Sequence, residues 1–174
     1  MTSEKLLLEN IRKYFNGDKS VGASGEWSYE EKSEPDGCFK GTVTVENKLQ
    51  SVLFAVKILQ DSILLQTACP ISVREKVRNK MYEFISYINL GMTDGYFLLD
   101  PDDGELLYRS FTALGTAAQM QDTEFGSWLT GQFQKSVRLW MKFGDAFIRI
   151  IFNIAADDIK QLFYEYNAGS EAEN

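Results

Sequence analysis

Leu7, Leu8, Ile11, Tyr14 and Phe15 recur at the three- and four-residue spacing of one helix face. Thr2 or Ser3 stands where a cap for this first helix is needed, and Gly17 where its closing residue belongs. Residues 18–25 read as a loop. The apolar period then falls from about 3.6 to 2. Trp27, Tyr29 and Glu31 alternate with Glu26, Ser28, Glu30 and Lys32, and Pro35-Asp36-Gly37 makes a turn. Phe39, Gly41, Val43 and Val45 next share one face of a strand, with Lys40, Thr42, Thr44 and Glu46 on the other. After the turn Glu46-Asn47-Lys48, the run 49–59 is apolar on both sides apart from Gln50, Ser51 and Lys57, and predicts a central strand covered on both faces. Gln60-Asp61-Ser62 turns the chain again and 63–68 returns. Short turns between successive strands imply an antiparallel meander.

Pro70 ends that strand, and Ser72-Val73-Arg74-Glu75 fits a capping box. Val77, Met81, Phe84, Ile85 and Ile88 form the apolar stripe of the helix that follows, with Gly91 as its stop. Residues 96–99 predict a short strand, Asp100-Pro101-Asp102-Asp103-Gly104 a turn, and 105–112 the returning strand of a second hairpin. A polar, small-residue stretch ends near Gln121. Asp122 or Thr123 then caps a long helix through Phe125, Trp128, Leu129, Phe133, Val137, Trp140, Gly144, Phe147, Ile148 and Ile151. Gly131 and Gly144 each cost that helix about 1 kcal/mol relative to Ala, and so mark close packing or a kink. Ala155-Ala156-Asp157-Asp158 restarts a short helix carrying Ile159, Leu162 and Phe163, with Asp157 as its cap. The order α-β-β-β(-β)-α-β-β-α predicts an α+β fold, an antiparallel sheet with flanking helices. Residues 1–166 form one domain in this reading, and 167–174 a polar tail.

With 174 residues, 44% of them hydrophobic, the chain has ample material for a core. A net charge of −7 and the lack of any Lys/Arg run oppose nucleic acid or an anionic membrane as partner. No run reaches the ~18–20 uncharged apolar residues of a membrane helix, and the richest stretch, 143–154, is broken by Asp145 and Arg149. Residues 1–11 carry Glu4, Lys5 and Glu9 around too short an apolar run for a signal peptide. Cys38 and Cys69 are then expected as reduced thiols in the cytoplasm, with a disulfide as the lesser alternative.

The chain contains no histidine, which removes the commonest general base, the usual Ser-His-Asp and Cys-His arrangements and every histidine-containing zinc site. No phosphate-cradling glycine pattern occurs; Gly22-Ala23-Ser24-Gly25 reads as loop. Asp100, Asp102, Asp103 and Glu105 are the most metal-like group. Counted from Asp100, however, the positions where a calcium loop needs Gly and Glu hold Glu105 and Phe111. A solvated turn is the favoured reading, with a divalent metal or small molecule at 100–105 as the alternative function. Cys38 and Cys69 read as small buried hydrophobes rather than nucleophiles. The neighbours Asp157-Asp158 and Glu30-Glu31 diverge in any regular element and make no acid/base pair. Phe125, Trp128, Phe133, Trp140 and Phe147 fit a core stripe, and their functional reading is an apolar surface or groove for a protein partner. Nothing calls for a cofactor.

The segment Asn89-Leu90-Gly91-Met92-Thr93-Asp94-Gly95-Tyr96-Phe97-Leu98-Leu99-Asp100 runs from a helix end into a short strand. Asp103-Gly104-Glu105-Leu106-Leu107-Tyr108-Arg109 continues through an Asp/Gly turn to a strand ending in Tyr-Arg. In these residues and in its order of elements the chain resembles the YbjN-like family of bacterial sensory-transduction regulators, which shares the fold of type III secretion chaperones. Residues 145–162 are similar to the family's closing pattern but lack its usual Pro and Gly. The likeness spans most of the chain as topology and about a third as motif. It implies a non-catalytic regulatory or chaperone-like protein-binding module, often a homodimer, and supplies no catalytic residues. A weaker third reading is an acidic protein acting by charge mimicry on a basic partner.

Overall fold

The computed structural model describes residues 3–21, 23, 28–32, 37–154 and 157–168. Its elements are α1 (Ser3–Phe15), β1 (Tyr29–Lys32), β2 (Cys38–Thr44), β3 (Ser51–Ile58), β4 (Ser62–Ala68), α2 (Glu75–Leu90), β5 (Tyr96–Leu99), β6 (Leu106–Ala113), α3 (Leu114–Ala118), α4 (Asp122–Ile151) and α5 (Ile159–Ala168). The strands form one six-stranded antiparallel sheet in the order β1-β2-β3-β4-β6-β5, so the α+β expectation holds. β1 pairs with β2 from Tyr29 opposite Gly41 to Lys32 opposite Cys38, and β5 with β6 from Tyr96 opposite Arg109 to Leu99 opposite Leu106.

By contacts the chain divides into two compact units. One comprises Met1–Thr42, Leu53–Gln66 and Ser110–Lys135, the other Val43–Val52, Thr67–Arg109 and Ser136–Asn174. Each has its own apolar core. In the first, Leu7, Ile11, Tyr14 and Phe15 of α1 meet Phe39, Phe54, Val56 and Ile58 of the sheet and Phe125, Leu129 and Phe133 of α4. Phe15 stacks on Phe54 with ring centres 5.4 Å apart, and Phe133 stands edge-on to Phe54 at 5.2 Å. The alternate residues of β3 face away from this core. Leu53 is 46% exposed, so the strand is central in the sheet but not covered on both faces there. An apolar run without alternation identifies a central strand but not whether both of its faces are sheltered.

In the second unit Val77, Met81, Phe84, Ile85 and Ile88 of α2 pack with Trp140, Phe143, Phe147 and Ile150 of α4 and with Ile159 and Leu162 of α5. The loop between β2 and β3 lies against α4 at Gly144. Asn47 Nδ2 donates to the Trp140 carbonyl at 2.7 Å, and the Lys48 amide donates to Asp145 Oδ1 at 2.9 Å. A Cβ on Gly144 would collide with the Asn47 amide, whereas one on Gly131 would meet no atom within 4 Å. Close packing thus explains Gly144 and not Gly131.

Helix ends tell a mixed story. Gly17, at φ +75°, closes α1 as expected: its amide bonds the Tyr14 carbonyl and that of Asp18 the Lys13 carbonyl. Asn153, at φ +56°, closes α4 the same way, with Ile154 bonding back to Arg149. The capping box at Ser72 does not form. The N-cap of α2 is Arg74, without a side-chain bond, because the chain before it is drawn to the 100–104 turn through the Val73 amide and the Gly104 carbonyl. Gly91 does end α2, but at φ −93°, which any residue adopts. Asp158 rather than Asp157 caps α5, accepting from the Gln161 amide, while Asp157 pairs with Lys80 at 2.8 Å. That pairing lowers the Asp157 carboxyl from its ordinary value. α3 forms within the polar, small-residue stretch before Gln121, for which the sequence predicts no element, and α5 takes in Asn167 and Ala168 of the expected tail. The readings at Thr2, Gly22, 24–27, 33–36, 155–156 and 169–174, and those resting on the side chains of Ser3 and Asp122, fall outside the described residues.

Candidate functional site

The acidic turn was the most metal-like feature of the sequence, and its carboxylates serve their own backbone. Asp100 Oδ1 accepts from the Asp102 amide and Asp103 Oδ1 from the Glu105 amide, each at 2.8 Å. The Gly104 amide bonds the Asp100 carbonyl at 3.0 Å, and Gly104 takes φ +75° with the Val73 carbonyl packed where a Cβ would stand. Arg78 reaches across to the carbonyls of Val73 and Pro101. Asp and Gly are here for turn geometry. Among the described residues no three His, Cys, Asp or Glu side chains are grouped to hold an ion.

The five aromatic positions of α4 separate by burial. Phe125 and Phe133 lie in the core of the first unit, Trp140 and Phe147 in that of the second, each no more than 2% exposed. These four side chains pack their own chain and present no surface. Trp128 is half-buried at the margin of the first core. Trp140 also has a polar duty: its Nε1 donates to Thr67 Oγ1 at 2.7 Å, and that hydroxyl shares a 2.6 Å bond with Ser136 Oγ. All three groups are buried, so each bond satisfies an atom that water cannot reach.

Both cysteines are buried free thiols. Burial, opposed by a backbone bond at Ile71, pushes the Cys69 thiol up to about 11. A thiol so shielded stays protonated at neutral pH and is a poor nucleophile.

The surface feature that stands out belongs to the second unit. The last turn of α2, the middle of α4 and the length of α5 enclose an open groove of about 530 Å³. Leu139, Phe143, Ile88 and Phe163 supply much of its apolar lining. Leu90 and Tyr164 stand at its rim, 84% and 51% exposed. Among the described residues, the charged side chains lining it are Lys142 and Lys160. Lys142 is held in place by a 2.8 Å bond to Asn167 Oδ1 and by the Phe143 ring, 5.1 Å away. The ion pair of Arg149 with Glu165, at 3.2 Å, fastens α5 to α4. The Arg149 guanidinium is raised in pKa by its bond to Tyr166 first and by Glu165 next. A smaller depression in the first unit, lined by Tyr29, Lys40, Thr42 and Leu53 among others, has no comparable apolar floor.

The helix end and strand that adjoin this groove are locked by Asn89. Its amide donates to the Phe97 carbonyl and accepts from the Phe97 amide, both at 2.8 Å, filling the open edge of β5 as a neighbouring strand would. Gly95, at φ +77°, lets the Tyr108 ring and the Arg109 carbonyl close in where a Cβ would sit. Leu90 was visible in the sequence as the apolar residue just before the glycine stop of α2. The groove itself was not, because it depends on where α5 returns.

No family model matches the sequence, and no curated protein matches it either. Among solved structures it is similar to the crystal structure of YbjN from E. coli, a proposed transcription regulator. The two share 14% identity over 80% of this chain and 92% of that one, with a TM-score of 0.53. At that distance the likeness establishes a YbjN-like fold.

Proposed function

We propose that this chain is a non-catalytic protein-binding module of regulatory or chaperone-like kind, acting in the cytoplasm through the apolar groove between α2, α4 and α5. The observation that carries the reading is Leu90, a large aliphatic side chain 84% exposed beside a concave apolar surface that also leaves Tyr164 half in water. Isolated exposed leucines are ordinary, but an apolar concavity with apolar residues at its rim is what a partner surface looks like. The absence of histidine and the use of the acidic turn by its own backbone favour binding over catalysis. YbjN, named as a proposed regulator, is consistent with this. Self-pairing through the same groove is the homodimeric form of the proposal.

A photo-cross-linking residue at position 90, expressed in the native cell, is expected to trap a discrete protein adduct. The same residue at Glu83, exposed on the same helix, serves as control. Adducts indistinguishable between the two positions, or none at 90, would refute the groove. Sedimentation of the purified chain distinguishes self-pairing from a foreign partner.

A further inference from the structure

We infer that the groove of the second unit receives an amphipathic helix whose apolar stripe is flanked by acidic side chains. This rests on the partner-binding reading above and adds the chemistry of the partner.

The walls of the groove are helices, whose interior backbone groups are bonded within each helix. Such a site offers no edge to an added strand. On the nearby edge of β5, Asn89 already occupies both polar groups of Phe97. What remains is recognition by inserted side chains, the way an amphipathic helix presents residues at i, i+3, i+4 and i+7.

The rim argues for a macromolecule over a small amphiphile. A volume of about 530 Å³ suits a drug-sized ligand. A helix lying along the groove fills it and also covers the parts of Leu90 and Tyr164 that now face water.

Charge then selects the flanks. The chain as a whole carries −7, yet among the described residues the charged side chains lining the groove are Lys142 and Lys160. Lys142 is braced by Asn167 and the Phe143 ring, which hold its ammonium beside the apolar floor. Acidic residues on the partner match these lysines, and basic ones meet like charge.

The test uses two fluorescein-labelled helical peptides of about 16 residues, read by anisotropy against the full chain. Both carry Leu at i, i+3, i+4 and i+7; one has Glu on its flanks and the other Lys. The Glu peptide is expected to bind about tenfold more tightly at low salt, with the gap narrowing as salt rises. Lys142→Glu with Lys160→Glu is expected to invert the preference, Lys160→Glu alone to reduce it, and Leu90→Asp to weaken both peptides. Equal binding of the two peptides, still weakened by Leu90→Asp, overturns the acidic partner while sparing the groove. If neither peptide binds, the amphipathic helix is overturned, and the cross-link at position 90 judges the groove independently.

Discussion

Gly131 and Gly144 lie on the same helix, and a sequence reading gives both the same cost; the structure gives them opposite roles. Replacing Gly by Ala in a helix interior gains about 1 kcal/mol. At Gly131 nothing opposes that gain, since no atom lies within 4 Å of the new methyl, so Gly131→Ala is expected to stabilise by about 1 kcal/mol. At Gly144 the methyl meets the Asn47 amide and comes within 2.9 Å of Leu49 Cδ1. Asn47 cannot retreat without stretching its 2.7 Å bond to the Trp140 carbonyl. Overpacking costs about 1–3 kcal/mol and a lost hydrogen bond about 1. Set against the helix gain, Gly144→Ala is expected to destabilise by about 1–3 kcal/mol. The two variants should therefore bracket the wild type in urea midpoint with an unchanged slope, a melting-temperature separation of roughly 4–16 °C at this chain length. Asn47→Ala in the Gly144→Ala background removes the collision, so the double mutant should be more stable than the two single effects predict. If Gly144→Ala stabilises as much as Gly131→Ala does, the loop between β2 and β3 does not sit on α4 and the argument fails.

Three further outcomes follow from the second unit. Thr67→Val strands the Trp140 indole N–H and the Ser136 hydroxyl in the core and should cost about 2–3 kcal/mol, whereas Thr67→Ser keeps the hydroxyl and should cost about 1; equal losses in urea unfolding would mean that the methyl matters and the bonds do not. Asn89→Ala uncovers the edge of β5, with an expected loss of about 1–3 kcal/mol and faster hydrogen exchange at the Phe97 amide; unchanged exchange there would refute the strand-like role of Asn89. The Cys69 thiol titrates near 9.0 in the unfolded chain and near 11 in the fold, so between those values the unfolded state holds fewer protons and stability falls as pH rises. The wild type should lose about 1 kcal/mol more than Cys69→Ala between pH 8 and pH 10, and parallel losses would show that burial does not shift this thiol.

Local signals carried most of the fold. The alternation 39–45 predicted β2 with the correct face inward, and the turn residues at 46–48 and 100–104 placed both hairpins. Those features are set by neighbours in sequence. Failures came where a distant contact decides the local outcome. Ser72-Val73-Arg74-Glu75 has the letters of a capping box, but the Val73 amide bonds Gly104, a residue more than a full helix away in sequence, and the chain enters α2 by another path. Asp157 and Asp158 are equivalent as candidate caps until Lys80 takes the first. The division into two compact units was equally hidden, because β2, β3, β4, β6 and α4 each contribute residues to both.

The candidate site shows the same divide between local pattern and distant contact. The features that looked functional in the sequence, a run of carboxylates and a stripe of large aromatics, are mostly consumed in making the fold: the carboxylates satisfy turn amides and four of the five aromatics fill cores. Large aromatics contribute most to stability when fully buried, so a regular stripe of them predicts a core before it predicts an interface. A partner surface has the opposite signature, an apolar residue the fold leaves outside. Leu90 fits it, since it follows the buried stripe of α2 yet remains 84% exposed. A sequence cannot tell such a residue from its buried neighbours, because its exposure is set by how α5 packs, through Ile159 and Leu162, and by the shelf that α5 leaves uncovered. Substitution at Leu90 therefore separates binding from folding in a way that substitution at Trp140 or Phe147 cannot. Leu90→Asp removes only exposed apolar surface and should leave the urea midpoint within about 0.5 kcal/mol of wild type. Loss of the position-dependent partner contact without loss of stability is the result that places function at the groove.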